Sequence, residues 1–109
     1  MSIKKVLQAE QEELREHIDN ALKMFWRNNK KRTESFSTER KNSYDVLCFT
    51  NRNFEAFGVT CYDEKVYIAR DVRLHDEKEF DPIYLQDVGN MDINLLIHFV
   101  GQIEEKFSN

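Results

Sequence analysis

Val59-Thr60-Cys61-Tyr62-Asp63-Glu64-Lys65-Val66-Tyr67-Ile68 decides the fold. Both sides of Asp63-Glu64 are rich in β-branched and aromatic residues, which fit a pleated, half-buried surface. A two-residue turn at Asp63-Glu64 pairs Tyr62 with Lys65, Cys61 with Val66 and Val59 with Ile68. That register gathers Val59, Cys61, Val66 and Ile68 on one face and puts Thr60 and Tyr67 on the other. A slip by one residue would turn one strand's apolar set to the wrong side. Asp-Glu is not a dipeptide that tight hairpins favour, so the register rests on the face pattern.

Reading outward, Tyr44, Val46 and Cys48 alternate with Asp45, Leu47 and Phe49, which predicts a strand over 44–50. Strands are expected at 54–62 and 65–74, with Thr50-Asn51-Arg52-Asn53 joining the first two. Arg73 to Asp81 reads as a charged loop. A short strand over 82–86 follows, and Pro82 at its start suits a sheet edge.

Helical periodicity brackets this meander. Val6, Leu7, Leu14, Ile18, Ala21, Leu22 and Phe25 predict a helix over 3–27. The set 7-11-14-18-21-25 forms an a/d seam with Gln11 in one slot, too short for an independent coiled coil. It must therefore lie on the sheet or on a second copy of itself. Asn28-Asn29 is expected to close the helix in the left-handed conformation. Ile93, Leu96, Ile97, Val100, Ile103 and Phe107 predict a second helix over 91–107, capped by Asn90 or Asp92. Gly101 inside it costs about 1 kcal/mol relative to Ala, either for close packing or without a structural return.

Residues 28–43 hold one strongly apolar side chain, Phe36. Its burial does not offset an ordering cost of roughly 1–2 kcal/mol per residue, so the segment reads as a flexible basic linker. The expected architecture is α+β, a single domain over 1–109. An N-terminal helix, an antiparallel β-meander of three to four strands and a C-terminal helix form two layers, both helices on one sheet face. Thr60, Tyr67 and Tyr62 are expected on the other face, open to water or a partner.

Composition limits the chemistry. The 109 residues are 40% hydrophobic and 33% charged, with formal net charge -4. No apolar run approaches the roughly 18–20 residues that a membrane span requires, and Gln8 to Glu13 replaces any apolar signal core. The expected location is cytoplasmic, with no membrane partner. Cys48 and Cys61 lack metal spacing and are expected as two buried reduced thiols. His17 and His98 sit on helices, so His75-Asp76-Glu77 is the one sequence neighbourhood joining a base to carboxylates. Neither a nucleophile–base–orienter set nor a phosphate-cradling glycine loop is present. The expectation is a non-enzyme without cofactor or metal.

Two surfaces remain. The first is the apolar stripe Leu14, Ile18, Leu22, Phe25 and Trp26, expected to bind another protein or a second copy as a homodimer. The second is Arg27, Lys30, Lys31 and Arg32, which follow Phe25-Trp26 and suit nucleic-acid phosphates, with Trp26 and Phe36 available to stack on bases. Acids outnumber bases from Asp63 onward, so charge is divided along the chain. In size and divided charge the chain is similar in general character to accessory proteins of bacteria, phages and mobile elements. The leading expectation is a protein-interaction module that self-associates, and the second a nucleic-acid-associated regulator.

Overall fold

A computed structural model describes residues 3–37, 42–50, 56–70 and 84–107. Helix α1 spans Ile3–Asn28, followed by a short 3-10 turn at Lys30–Arg32 and strand β1 at Glu34–Ser37. Strands β2 (Ser43–Thr50), β3 (Ala56–Tyr62), β4 (Lys65–Arg70) and β5 (Tyr84–Asp87) come next. A 3-10 turn at Val88–Asn90 then leads into α2, Ile93–Phe107. The protein is α+β, with one five-stranded antiparallel sheet in the order β1-β2-β3-β4-β5.

The central hairpin has the expected register: Tyr62 opposes Lys65, Cys61 opposes Val66, and Val59 opposes Ile68. Asp63 and Glu64 both adopt positive φ, 50° and 62°. This left-handed pair lets two residues reverse a right-twisted ribbon, even though neither is Asn or Gly.

One sheet face carries Leu47, Phe49, Phe57, Val59, Val66 and Ile68, buried against Leu22 of α1 and Leu96, Phe99 and Ile103 of α2. Aromatic rings link the layers: Phe25 to Phe49 at 6.1 Å, Phe49 to Phe57 at 5.5 Å, and Phe57 to Phe99 at 5.2 Å between centroids. Both helices therefore cover the same face. Arg15 of α1 adds a polar fastening, donating from Nη1 to Val88 O at 2.9 Å and to Met91 O. Asp92 caps α2, its Oδ1 accepting from the backbone N–H of Asn94 and Leu95 at 3.0 and 3.2 Å.

Several expectations are corrected. The sheet has five strands, because the supposed flexible linker over 28–43 contains β1, paired along Glu34↔Val46 to Ser37↔Ser43. Phe36 is only 6% exposed and packs with Val46 and Ala69 on the sheet face away from the helices. Burying one Phe supplies about 2–3 kcal/mol, and the ladder hydrogen bonds satisfy the backbone beside it. Residues 38–41 of that segment lie outside the described residues, as do 51–55 and 71–83, which include Pro82 and the expected charged loop.

Thr60 is fully buried rather than open to water, while Tyr62 is exposed. The β2–β3 register ends at Leu47↔Val59, and beyond it Asp45 O accepts from Thr60 Oγ1 at 2.8 Å and from Trp26 Nε1 at 2.9 Å. Two side chains thus satisfy a carbonyl that lies beyond the ladder's end. At the end of α1, Asn29 is not left-handed (φ -113°, ψ 22°), and its side-chain Nδ2 instead donates to Phe25 O at 2.9 Å.

Candidate binding site at the basic turn

Three consecutive turns of α1 settle where its side chains go. Leu22 is 4% exposed, and Ile18, Phe25 and Trp26 pack partly buried against the same core. This corrects the expected partner surface. Of Leu14, Ile18, Leu22, Phe25 and Trp26, only Leu14 (42% exposed) faces outward, because the other four are the face α1 lays on its own sheet. One face of the helix cannot cover the sheet and a partner together.

Beyond Trp26 the chain leaves the sheet surface and its cations come out. Arg27, Lys30, Lys31 and Arg32 are all exposed. Together with Asn28 and Asn29 they line one open depression of about 550 Å³. The 3-10 turn bends the backbone so that residues from the helix end and the turn share this concavity. Arg32 N–H donates to Asn29 O at 2.8 Å, and Thr33 Oγ1 donates to Lys30 O at 2.8 Å. Lys30 Nζ sits 5.3 Å from the Trp26 ring centroid, a cation–π contact that orients the ammonium. Trp26 is fixed in turn by its bond to Asp45 O.

Among the described residues, no salt bridge engages any of these four cations; the one ion pair of α1 is Lys23–Asp19 at 3.0 Å. The site is thus a set of positive charges that no described carboxylate pairs, on a chain of net charge -4. Such a surface attracts anions and is sensitive to salt. These four residues, contiguous or nearly so in the sequence, line the same depression. The sequence reading missed the contribution of Asn28 and Asn29 to the concavity and the anchoring role of Asp45, whose partners Trp26 and Thr60 are distant in sequence. Phe36, read as a base-stacking candidate, is buried on the other side of the sheet and does not join the site.

A second feature lies at the opposite end of α1. From Gln8 to Leu14 seven consecutive residues are exposed, so no side of the helix is covered there. Glu10, Glu12 and Glu13 belong to this stretch and Glu16 follows, also exposed and, among the described residues, outside any salt bridge. The helix carries an exposed acidic stretch at Glu10, Glu12 and Glu13 and a basic end.

The remaining candidates for chemistry stay apart. His17 and His98 are exposed, and His98 Nε2 lies 3.2 Å from Gln102 Nε2 with no carboxylate in the contact. His75-Asp76-Glu77 lies outside the described residues. Among the described residues, no group of three or more His, Cys, Asp and Glu could hold a metal. Nor, among them, is any helix long and apolar enough to cross a membrane.

Both cysteines are free and half-buried. Cys61 packs against the helix-side core and Cys48 against the other face. Burial, with a smaller contribution from Glu34, pushes the Cys48 thiol up to about 12. Burial also raises Cys61, opposed by Lys23 and Arg27 and helped slightly by Asp19. A thiol held protonated is a poor nucleophile. No protein-family model, curated protein or solved structure matches this chain.

Proposed function

We propose that the protein is a non-enzymatic interaction module whose basic turn captures an acidic segment of a partner protein. The observation that carries this reading is the convergence of Arg27, Lys30, Lys31 and Arg32, exposed and, among the described residues, in no salt bridge, on one depression at a helix end. Charged groups set this way steer a complementary partner and fix its register, more than they supply affinity.

An acidic protein segment fits better than a nucleic acid. Four cations within six residues neutralise only a few charges, whereas a polyanion of repeating phosphates gains by contacting many. Beyond the turn it would meet the exposed acids Glu34, Asp45, Asp63 and Glu64 on the neighbouring strands and hairpin. A short acidic helix or strand needs only the local cluster.

Trp26, the chain's one tryptophan, reports on the site because Lys30 sits over its ring. Titration with poly-glutamate at low salt is expected to change Trp26 emission. The change should disappear when Arg27, Lys30, Lys31 and Arg32 become Ala, and should shrink as salt rises. If duplex or single-stranded nucleic acid shifts the emission while poly-glutamate leaves it unchanged, the acidic-protein reading is wrong.

A further inference from the structure

We infer that the acidic segment is the Glu10–Glu13 stretch of α1 from a second copy of the chain, so that two molecules pair antiparallel along the outer side of that helix. This deepens the reading of the basic turn as a site for acidic protein, and rests on it.

The helix itself supplies the argument. Ile18, Leu22, Phe25 and Trp26 turn to the sheet. Leu14, His17, Ala21 and Met24, spaced by three and four residues, are exposed on an adjacent stripe, with Leu14 at 42% and Met24 at 63%. Nothing else in the described fold covers that stripe. If two helices cross it antiparallel about a twofold axis beside Asp19-Asn20, Leu14 meets Met24 and His17 meets Ala21 of the second copy.

The charges place the axis independently. The same crossing sets Glu13 opposite Arg27, with their midpoint within one residue of the apolar one, and carries Glu10 towards the basic turn that holds Lys30 just past the helix end. All four are exposed and, among the described residues, outside any salt bridge. Parallel pairing would instead bring Glu10 and Glu13 against their own copies and Arg27 against its own, which repels. A twofold crossing also uses each surface in both molecules, the self-complementary condition a closed dimer must meet. The stripe is narrow and its rim charged, so the dimer is expected to be reversible and to weaken with salt.

Sedimentation across protein concentrations tests this with three exposed-site variants, each checked for native circular dichroism. Wild type should form a dimer that dissociates with dilution and with salt. Glu10→Lys with Glu13→Lys, and separately Arg27→Glu with Lys30→Glu, should each weaken self-association at least about tenfold. All four substitutions in one chain should restore the homodimer, because each new cation again faces a new acid. That restoration is specific to antiparallel pairing.

A dimer that all three variants form unchanged would overturn the pairing mode. A wild type that stays monomeric at every concentration would overturn self-pairing. If poly-glutamate still changes Trp26 emission in that monomer, the acidic-partner reading of the basic turn survives. If poly-glutamate is silent as well, both readings fall.

Discussion

Gly58 stands in β3 between Cys48 and Ala69 of the flanking strands. A Cβ there would press on Val46 Cγ1 and lie 2.8 Å from Leu47 O, a backbone atom that cannot swing away. Gly101, in α2, has nothing within 4 Å of the same position and ordinary helical surroundings. The two glycines should therefore respond oppositely to Ala. Gly58→Ala is expected to cost about 1–3 kcal/mol by overpacking, and Gly101→Ala to add up to about 1 kcal/mol through helix propensity. Urea unfolding midpoints measure both, and a neutral Gly58→Ala would show that the sheet relaxes around the added methyl. In sequence the two were indistinguishable, since each is an isolated glycine inside a periodic run. Only the third dimension, where Val46 arrives from a neighbouring strand, separates them.

Elements were legible wherever one local pattern sufficed. The β3–β4 register followed from matching Val59, Cys61, Val66 and Ile68 across two turn residues, all within ten positions. The period placed the first helix over 3–27, within one residue of α1 (Ile3–Asn28), and of the two caps offered for α2, Asn90 and Asp92, the second is the one used. Strand β1 did not, because Glu34-Ser35-Phe36-Ser37 offers a single apolar residue, and alternation needs at least two to be read. Its stability comes from β2 and from the niche beside Val46 and Ala69, neither visible in the segment itself. The turn at Asp63-Glu64 holds two side-chain-bearing residues at positive φ, where L-residues are disfavoured by roughly 1–2 kcal/mol. Replacing the pair by Asn-Gly is expected to stabilise the protein by about 1 kcal/mol. Thermal denaturation reads this, and an unchanged or lowered midpoint would count against the turn geometry.

For the whole molecule, the two-layer plan with both helices on one face was deducible, yet the surface left for partners was misplaced. Leu14, Ile18, Leu22, Phe25 and Trp26 share one periodic stripe in sequence, and period alone does not say what covers it. Four of them serve the sheet, while Leu14 joins Ala21 and Met24 on a neighbouring stripe about 100° around the helix. The basic cluster was found because it is contiguous in the chain. Stability as a function of pH is also a property of the assembled layers. The Cys48 thiol titrates near 9.0 when unfolded and at about 12 in the fold, held protonated by burial and then by Glu34. Between those values the unfolded chain binds fewer protons, so stability should fall as pH rises above about 9. Cys61 shifts in the same direction and adds to the slope. Denaturant midpoints followed from neutral to alkaline pH in wild type and Cys48→Ala check this, the variant being expected to lose part of the decline.

Because Cys48 and Cys61 belong to opposite sides of a single sheet, the hydrogen-bonded layer stands between their sulfurs. Air oxidation of the native protein therefore has no internal crosslink to make, and any disulfide that accumulates on ageing must join separate molecules or pass through a partly opened one. The same placement gives a chemist two addresses. The rate at which a thiol reagent reaches each sulfur would report separately on opening of the helical layer and of the opposite face.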